Sequence, residues 1–318
     1  MELHSSGDLR DSHQHDAIRN SGSYDGLACS DRLCSLLTAG IYHEWSCCSS
    51  SICKCEGEVK SLKEEQLSVT PIKTLRDVLV FTLGKRRVTV VGCDSSGGIG
   101  PKFMDVVRVD GYTLGKFTAR VALMEVLSTG AKPICVVNTL CVEPKPTGFQ
   151  IAEGIRDEAR RARVSSKFAV TGSSEKNIPV RQTGLGVTVI GIAMRRELRM
   201  GGSKRKDSVI SIGIPLVGNE VLLGGKRGLV ADTNDLLKLL NLGFIHEVIP
   251  VGSQGIMHEA EIIAKESHLR FELADRPMVD VRKSAGPATV ILATLPEVQL
   301  SRLRSKISKP INMVGCLL

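Results

Sequence analysis

The chain has 318 residues, of which 42% are hydrophobic and 24% charged, close to the average of globular proteins. This length accommodates two domains, and no fixed-period repeat indicates a solenoid or a propeller. Aromatic residues make up only 3%, which leaves few rings to stack on nucleic-acid bases. No apolar stretch approaches the roughly 20 residues that span a bilayer. We therefore expect a cytoplasmic protein that binds neither nucleic acid nor membrane.

The net charge of +8 is spread along the chain. Its densest basic runs, at 195–199 and 204–206, lie in a glycine-containing stretch. We interpret this stretch as a solvated linker between two domains rather than as a nucleic-acid surface. Positive charge would also favour a nucleotide substrate.

Residues 1–68 differ from the rest of the chain, because Ser, His, Cys and Asp dominate without a sustained period of 2 or 3.6. We expect disorder there, or an upstream segment included by too early a start codon. A zinc site is the alternative, although its spacing matches neither paired C-x-x-C knuckles nor a C2H2 finger. The candidate ligands are His43, Cys47, Cys48, Cys53 and Cys55.

From Thr74 onward, strand-like and helix-like segments alternate, which predicts a two-domain α/β fold. In the first domain, 69–195, the patterns predict strands at 88–94, 105–109, 134–141, 167–172 and 184–193, and helices at 114–128 and 149–163. In the second domain, 207–318, they predict strands at 208–214 and 288–295, helices at 232–243 and 296–307, and a strand, turn and helix within 248–268, followed by a terminal segment at 312–318.

The strongest local signal is CDSSGGIGPK, at 93–102, directly after a predicted strand. Asp94 at the strand end suits Mg2+, and Lys102 would neutralise phosphate charge. Backbone N–H groups in a glycine-rich loop can approach phosphate oxygens closely, here at Gly97, Gly98 and Gly100. The spacing is neither a Walker A loop nor a dinucleotide fingerprint, and a glycine-rich turn without function explains the same residues.

A second signal is TGSSEKN, at 171–177, also at the end of a predicted strand. Gly172, Ser173 and Ser174 suit phosphate contacts, and Glu175 suits a metal. A turn or a helix cap uses the same residue types, so this alternative stays open.

Together these segments resemble one ATP-using superfamily, which includes aminoimidazole ribonucleotide (AIR) synthetase, thiamine-monophosphate kinase, selenophosphate synthetase and a hydrogenase-maturation protein. ALMEVLSTGAKP, at 122–133, is similar to the family's N-L-S-D helix followed by G-A-x-P, with Glu125 at the acid position. IGIPLVG, at 212–218, is similar to I-G-x-P-S-x-G. The resemblance spans about 69–318 and implies an ATP-binding first domain and an AIR-synthase-like second domain.

Departures from the family motifs point to one branch of the superfamily. Ser173 replaces the carboxylate of G-G-[DE]-T, Ala122 replaces the Asn of N-L-S-D, and 251–255 lacks the Asp of D-V-T. By contrast, CDSSGGIG, RVALME and GSSEKN are similar to phrases of α-ribazole kinases. This likeness implies transfer of the ATP γ-phosphoryl group to the 5′-hydroxyl of α-ribazole, a step of cobalamin salvage.

The resemblance also implies the site. ATP and Mg2+ would be the cofactors, with Asp94, Glu125 and Glu175 as catalytic metal ligands. The nucleotide would contact Lys102 and the two glycine-containing segments: Gly97, Gly98, Gly100, Gly172, Ser173 and Ser174. A homodimer paired through the first domains is implied as well. Asp105 and Asp110 are expected to cap turns instead.

Two other functions stay open at this point. The missing family acids are compatible with a non-catalytic nucleotide-binding protein. Another phosphotransferase or ligase of the superfamily, similar to thiamine-monophosphate kinase, would use the same motifs with a different acceptor. Consumption of ATP separates the first of these from an enzyme, and the identity of the phosphorylated product separates the second.

Overall fold

The computed structural model describes residues 69–72, 74–164 and 169–318. The predictions for residues 1–68, namely disorder, an upstream segment or a zinc site, lie outside the described residues. These described residues form one compact unit. None of the helices in the described part of the chain is long and apolar enough to cross a membrane.

The first half of the described chain alternates strands and helices. In chain order they are β1 (Pro71–Ile72), β2 (Val78–Leu83), β3 (Arg87–Gly97), β4 (Ile99–Gly100), β5 (Val107–Arg108), α1 (Gly111–Ser128), β6 (Lys132–Leu140), α2 (Phe149–Arg161), β7 (Ala169–Ser174) and β8 (Gly184–Met194). Six of these strands form a sheet in the order β1-β2-β3-β8-β6-β7. Only β6 and β7 pair in parallel within it.

Burial along β8 alternates residue by residue, as expected for a strand with one covered face. Helices α1 and α2 pack against each other through two glycines. A Cβ on Gly115 would lie 2.1 Å from the Ile151 carbonyl oxygen, and a Cβ on Gly154 would lie 2.1 Å from the Tyr112 carbonyl oxygen. The two helix backbones therefore touch without intervening side chains.

The second half contains β9 (Asp207–Gly213), α3 (Asn219–Lys226), α4 (Thr233–Leu240), β10 (Glu247–Pro250), α5 (Gly255–Glu266), β11 (Phe271–Leu273), β12 (Val290–Pro296), α6 (Leu300–Arg304) and β13 (Ile311–Leu317). Its five strands form an antiparallel sheet in the order β10-β12-β9-β13-β11. Every residue of the central strand β9 is buried. Asp232 caps α4 through a capping box with Asp235.

The two sheets share a hydrophobic core and a buried ionic contact. Val88 and Val187 of the first sheet belong to the same buried cluster as Ile210 and Ile291 of the second. Arg76, just before β2, reaches across to the second sheet. Its guanidinium donates to the Val248 carbonyl oxygen at 2.9 Å and pairs with the carboxylates of Glu247 and Glu266.

The structure confirms the α/β fold class and corrects several predicted element boundaries. Ser95, Ser96 and Gly97 continue β3 instead of forming a loop, because β8 supplies backbone partners as far as Gly184. The strand predicted at 105–109 shrinks to β5, since the Asp105 carboxylate accepts hydrogen bonds from Thr183 and folds the segment into a turn. The helix predicted at 296–307 is reduced to α6.

Two capping expectations concern Asp110 and Asp105. Helix α1 begins at Gly111, three residues before its predicted start, because the Asp110 side chain accepts a hydrogen bond from the Thr113 N–H. Asp105 closes its own turn by accepting from the Lys102 N–H at 2.7 Å. Both carboxylates thus satisfy local backbone donors.

The glycine contact between α1 and α2 predicts a stability difference between two alanine variants. Gly115→Ala should lower the free energy of unfolding by about 1–3 kcal/mol, because the new methyl group forces the helices apart. Gly225→Ala in α3 is the matched control, since its Cβ would meet no atom within 4 Å. Alanine there should raise the free energy of unfolding by about 0.5–1 kcal/mol. Urea denaturation measures both, and equal stability of the variants would contradict the contact.

Candidate functional site

A cavity of about 460 Å³ lies between α1, the end of β3 and three loops of the second half. Its lining includes the carboxylates of Asp77, Asp94 and Glu125, and the first two lie near enough to raise the pKa of Glu125. We call this group of acids the acidic end. Apolar walls come from Leu114, Phe117 and Val121 of α1 and from Val221 and Leu222 of α3. This size and this mixture of surfaces are typical of a small-molecule site.

Close packing of α1 on β3 brings Asp94 and Glu125 to the same end of the cavity. Gly92 lies two residues before Asp94, on the same face of β3. A Cβ on Gly92 would lie 3.2 Å from the Glu125 Cβ and 3.3 Å from the Ala122 carbonyl oxygen. The absent side chain lets the helix approach, so the Glu125 carboxylate enters the cavity beside the strand that carries Asp94.

Of these two carboxyl groups, Glu125 is buried and Asp94 is half-buried. Only 8% of Glu125 is exposed, and burial, reinforced by the charge of Glu259, raises its pKa well above the usual range. Burial likewise raises the pKa of Asp94 to about 6. No Lys, Arg or His side chain in the described ranges forms an ion pair with either group. Buried acids with raised pKa values in a cleft indicate a functional site.

Sequence reasoning missed two acids near this end, Asp77 and Glu259. Asp77 lines the cavity directly after Arg76. Glu259 lies on α5 beside Gly252, which also lines the cavity, and burial followed by the charge of Asp77 raises its pKa to about 7. A signal existed for Glu259, because it interrupts the buried stripe formed by Ile256, Ala260 and Ile263. A charged residue at a core position of an amphipathic helix indicates a special role.

The other predicted site residues do not line this cavity within the described part of the chain. The Lys102 ammonium pairs with the Glu143 carboxylate. Glu175 accepts hydrogen bonds from the Asn177 and Ile178 N–H groups at 2.7 and 3.2 Å, next to the edge strand β7. The remaining six, Gly97, Gly98, Gly100, Gly172, Ser173 and Ser174, lie on β3, β4, β7 or the turn between β3 and β4. Their nucleotide and metal roles remain predictions.

The acidic end fits Mg2+ better than a metal ion that takes all of its ligands from protein side chains. Among residues 69–72, 74–164 and 169–318, no group of three or more His, Cys, Asp or Glu side chains is arranged to hold a metal. Mg2+ commonly takes one or two carboxylates and completes its shell with water and phosphate oxygens. Asp94 and Glu125, both lacking a cation partner, match that donor set.

Comparison with known proteins identifies the kind of domain that carries these acids. Residues 76–193 match the family model "AIR synthase related protein, N-terminal domain". Asp77, Asp94 and Glu125 all fall within this match. No curated protein matches the chain in sequence. The superfamily expected from the sequence is therefore supported.

Solved structures show the same fold. Thiamine-monophosphate kinase from Stenotrophomonas maltophilia K279a has a TM-score of 0.51 at 18% identity, over 76% of this chain and 89% of that one. A chain of the HypE–HypF complex has a TM-score of 0.55 at 15% identity, over 77% and 87%. AaThiL, solved with AMPPCP and TMP, has a TM-score of 0.50 at 13% identity, over 78% and 84%. The AIR-synthase-like fold is thus confirmed.

The raised pKa values predict that stability falls as pH rises. Glu259 keeps a proton in the folded chain between 4.5 and a pKa of about 7, where the unfolded chain has released it. Its contribution to stability is therefore fully present below the lower value and is lost as pH rises through the higher one. Glu259→Gln should reduce the fall in Tm between about pH 5 and about pH 8.

Glu261→Gln is the matched control for this measurement. Glu261 lies on the same helix, is half exposed and pairs with Lys265, so its removal should leave the pH dependence of Tm unchanged. Thermal unfolding of the wild type and both variants across this pH range tests the assignment. The same slope in Glu259→Gln and in the wild type would show that Glu259 is not the titrating group.

Proposed function

We propose that this chain is an ATP- and Mg2+-dependent kinase that phosphorylates the 5′-hydroxyl of α-ribazole. The observation that carries the proposal is a pair of carboxyl groups, half-buried Asp94 and buried Glu125, which share one cavity and form no ion pair with a Lys, Arg or His of the described residues. Groups of this kind keep a proton or, when ionised, are costly to bury unless a cation joins them. Mg2+ bound to a nucleotide is the cation that an ATP-using superfamily offers.

In this proposal Asp94 and Glu125 hold Mg2+, which when bound offsets the negative charge of the phosphates. Little covalent chemistry falls to the protein in phosphoryl transfer, so alignment of the reactants is its main contribution. Asp77 at the same end of the cavity would accept a hydrogen bond from the acceptor hydroxyl and orient it. The apolar walls from α1 and α3 would keep bulk water away from the reacting groups.

Lys102 and Glu175 could take part only by giving up contacts that they make in this structure. Lys102 would contact phosphate only after its pair with Glu143 opens. Glu175 would reach a metal only by giving up the two backbone hydrogen bonds of its turn. The glycines and serines of the two segments would contribute backbone contacts to the nucleotide.

A homodimer through the first sheet is also proposed, and the exposure of Leu79 on β2 and Ile134 on β6 supports it.

One observation favours a second candidate, a non-catalytic nucleotide-binding protein. Only two of the three predicted metal ligands share the cavity, since Glu175 lies beyond β6 and β8 from β3. A protein of this kind would bind ATP and leave it intact. Purified protein incubated with ATP, Mg2+ and α-ribazole, thiamine phosphate or selenide in parallel, with products identified by mass spectrometry, separates the candidates.

Asp94→Asn should reduce turnover of ATP with α-ribazole by about 100-fold or more, because the neutral amide no longer attracts Mg2+ at the phosphates. Circular dichroism and thermal unfolding should show that the variant is folded. Glu261→Gln on the surface of α5 is the control and should retain the wild-type rate. Near-normal turnover by Asp94→Asn would remove this residue from the metal site.

Glu175→Gln, measured in the same assay, decides the role of the third predicted acid. A loss as large as that of Asp94→Asn would place Glu175 at the metal. An unchanged rate would limit it to the turn after β7.

A further inference from the structure

Helix α3 and the turns on either side of it form a surface loop that packs on itself. The Ile214 N–H donates to the Leu229 carbonyl oxygen at 3.0 Å, so the two ends of the loop lie side by side. Between these ends, a Cβ on Gly224 would lie 2.1 Å from Cδ1 of Leu216. A loop of this length with adjacent ends and its own packing is an Ω-loop, and such loops are frequently functional. We call residues 214–229 the α3 loop.

The α3 loop is weakly attached to the rest of the chain. Its helix buries only Val221 and Gly224, and Val221 belongs to neither of the two hydrophobic core clusters. Leu223 on the same helix is 60% exposed. Near the base of the loop, the Leu216 N–H donates to the Thr289 hydroxyl at 3.2 Å. Segments with few buried apolar contacts open locally at a lower free energy than the core does.

The inner side of the α3 loop is a wall of the cavity. Val217, Gly218, Val221 and Leu222 all line it, and three of these four present apolar side chains. The loop also reaches the first half of the chain, since a Cβ on Gly218 would lie 3.6 Å from Cγ2 of Val107. Because Val107 lines the cavity from β5, this contact closes the wall between the two halves.

An ion pair ties the α3 loop to another wall of the cavity. The Glu220 Oε2 lies 2.7 Å from the Lys283 Nζ, and the same oxygen accepts from the Val217 N–H at 3.1 Å. Lys283 shortly precedes a segment that lines the cavity, 286–288. Both side chains of the pair are partly exposed, so the pair is weak. It holds the loop in place and still breaks readily.

We propose that the α3 loop is a lid over the cavity and that the Glu220–Lys283 ion pair is the latch that holds it closed. When the pair breaks, the loop turns outward about its adjacent ends and admits a ligand. When the pair is formed, the apolar side chains of the loop keep bulk water away from the ligand. The inference concerns access to the cavity, so it holds or fails independently of the kinase proposal.

Hydrogen exchange of the ligand-free protein tests the latch. In Lys283→Gln the amides of 219–226 should exchange about two- to fivefold faster, while those of the central strand β9 should exchange as in the wild type. Glu220→Gln keeps an acceptor for the Val217 N–H and should give the same increase. The double variant should exchange like either single variant, because all three lack the same contact.

Lys265→Gln is the matched control for these variants. Lys265 pairs with Glu261 on α5 at 3.5 Å in a similarly exposed contact, and its replacement makes the same change in net charge. Exchange at 219–226 should stay at the wild-type rate in this control. Wild-type exchange in both Lys283→Gln and Glu220→Gln would overturn the proposal. Equally faster exchange in β9 would also overturn it, because the pair would then stabilise the whole fold.

Labelling of a thiol inside the cavity tests access directly. Thr118 lines the cavity and is only 2% exposed, so Thr118→Cys introduces a thiol that a maleimide reaches when the cavity opens. Labelling of position 118 by N-ethylmaleimide, followed by peptide mass spectrometry, should be about two- to fivefold faster when Lys283→Gln is added. Cys141 is the internal control, since it is exposed and does not line the cavity. An unchanged rate at position 118 would show that ligands enter elsewhere and would overturn the lid.

Turnover assays separate this inference from the kinase proposal. A protein in which the latch variants speed exchange and labelling, but which phosphorylates no acceptor, would contradict the kinase and leave the lid standing. Phosphorylation of α-ribazole by a protein whose α3 loop does not respond to the latch variants would contradict the lid alone.

Discussion

The structure depends on the place where α1 crosses β3 and withdraws two carboxyl groups from water, Glu125 almost fully and Asp94 by about half. Gly92 makes this crossing close enough for Glu125 to lie beside the strand that carries Asp94. Arg76 is near enough to lower the pKa of Glu125 against the effect of burial, but its guanidinium pairs with Glu247 and Glu266. The protein thus places its nearest buried cation in a structural contact and leaves the cavity acids without one.

This arrangement joins the two sheets to the site. Arg76 fixes the start of β2 against β10 and the end of α5, and the next residue, Asp77, faces the cavity. The second sheet then supplies the opposite wall through Gly252, Ser253 and the segment 286–288. Neither half alone forms the cavity, so the contact that stabilises the pair of sheets also positions the acidic end.

Local patterns predicted the parts of the fold that depend on local sequence. Strand β8, the capping role of Asp110 and the helices α4 and α5 were all predicted from patterns along the chain. The extension of β3 through Gly97 could not be predicted in this way, because it depends on pairing with Gly184, far away in sequence. The ion pair of Lys102 could not be predicted either, because its partner Glu143 becomes its neighbour only after folding. Glu259 carried a readable signal, an acid within a buried stripe.

The cavity changes how one departure from the superfamily's acidic motifs, Ser173, bears on function. Ser173, which replaces a family carboxylate, lies on the edge strand β7 and does not line the cavity. Asp77, Asp94 and Glu125 come instead from the start of β2, from β3 and from α1, and Glu259 adds a fourth acid from α5. The loss of one carboxylate on β7 therefore leaves the acidic end intact. This geometry removes Ser173 from the argument that the missing motif residues make the protein non-catalytic, whereas the segment 251–255, which lacks the Asp of D-V-T, does contribute Gly252 and Ser253 to the cavity.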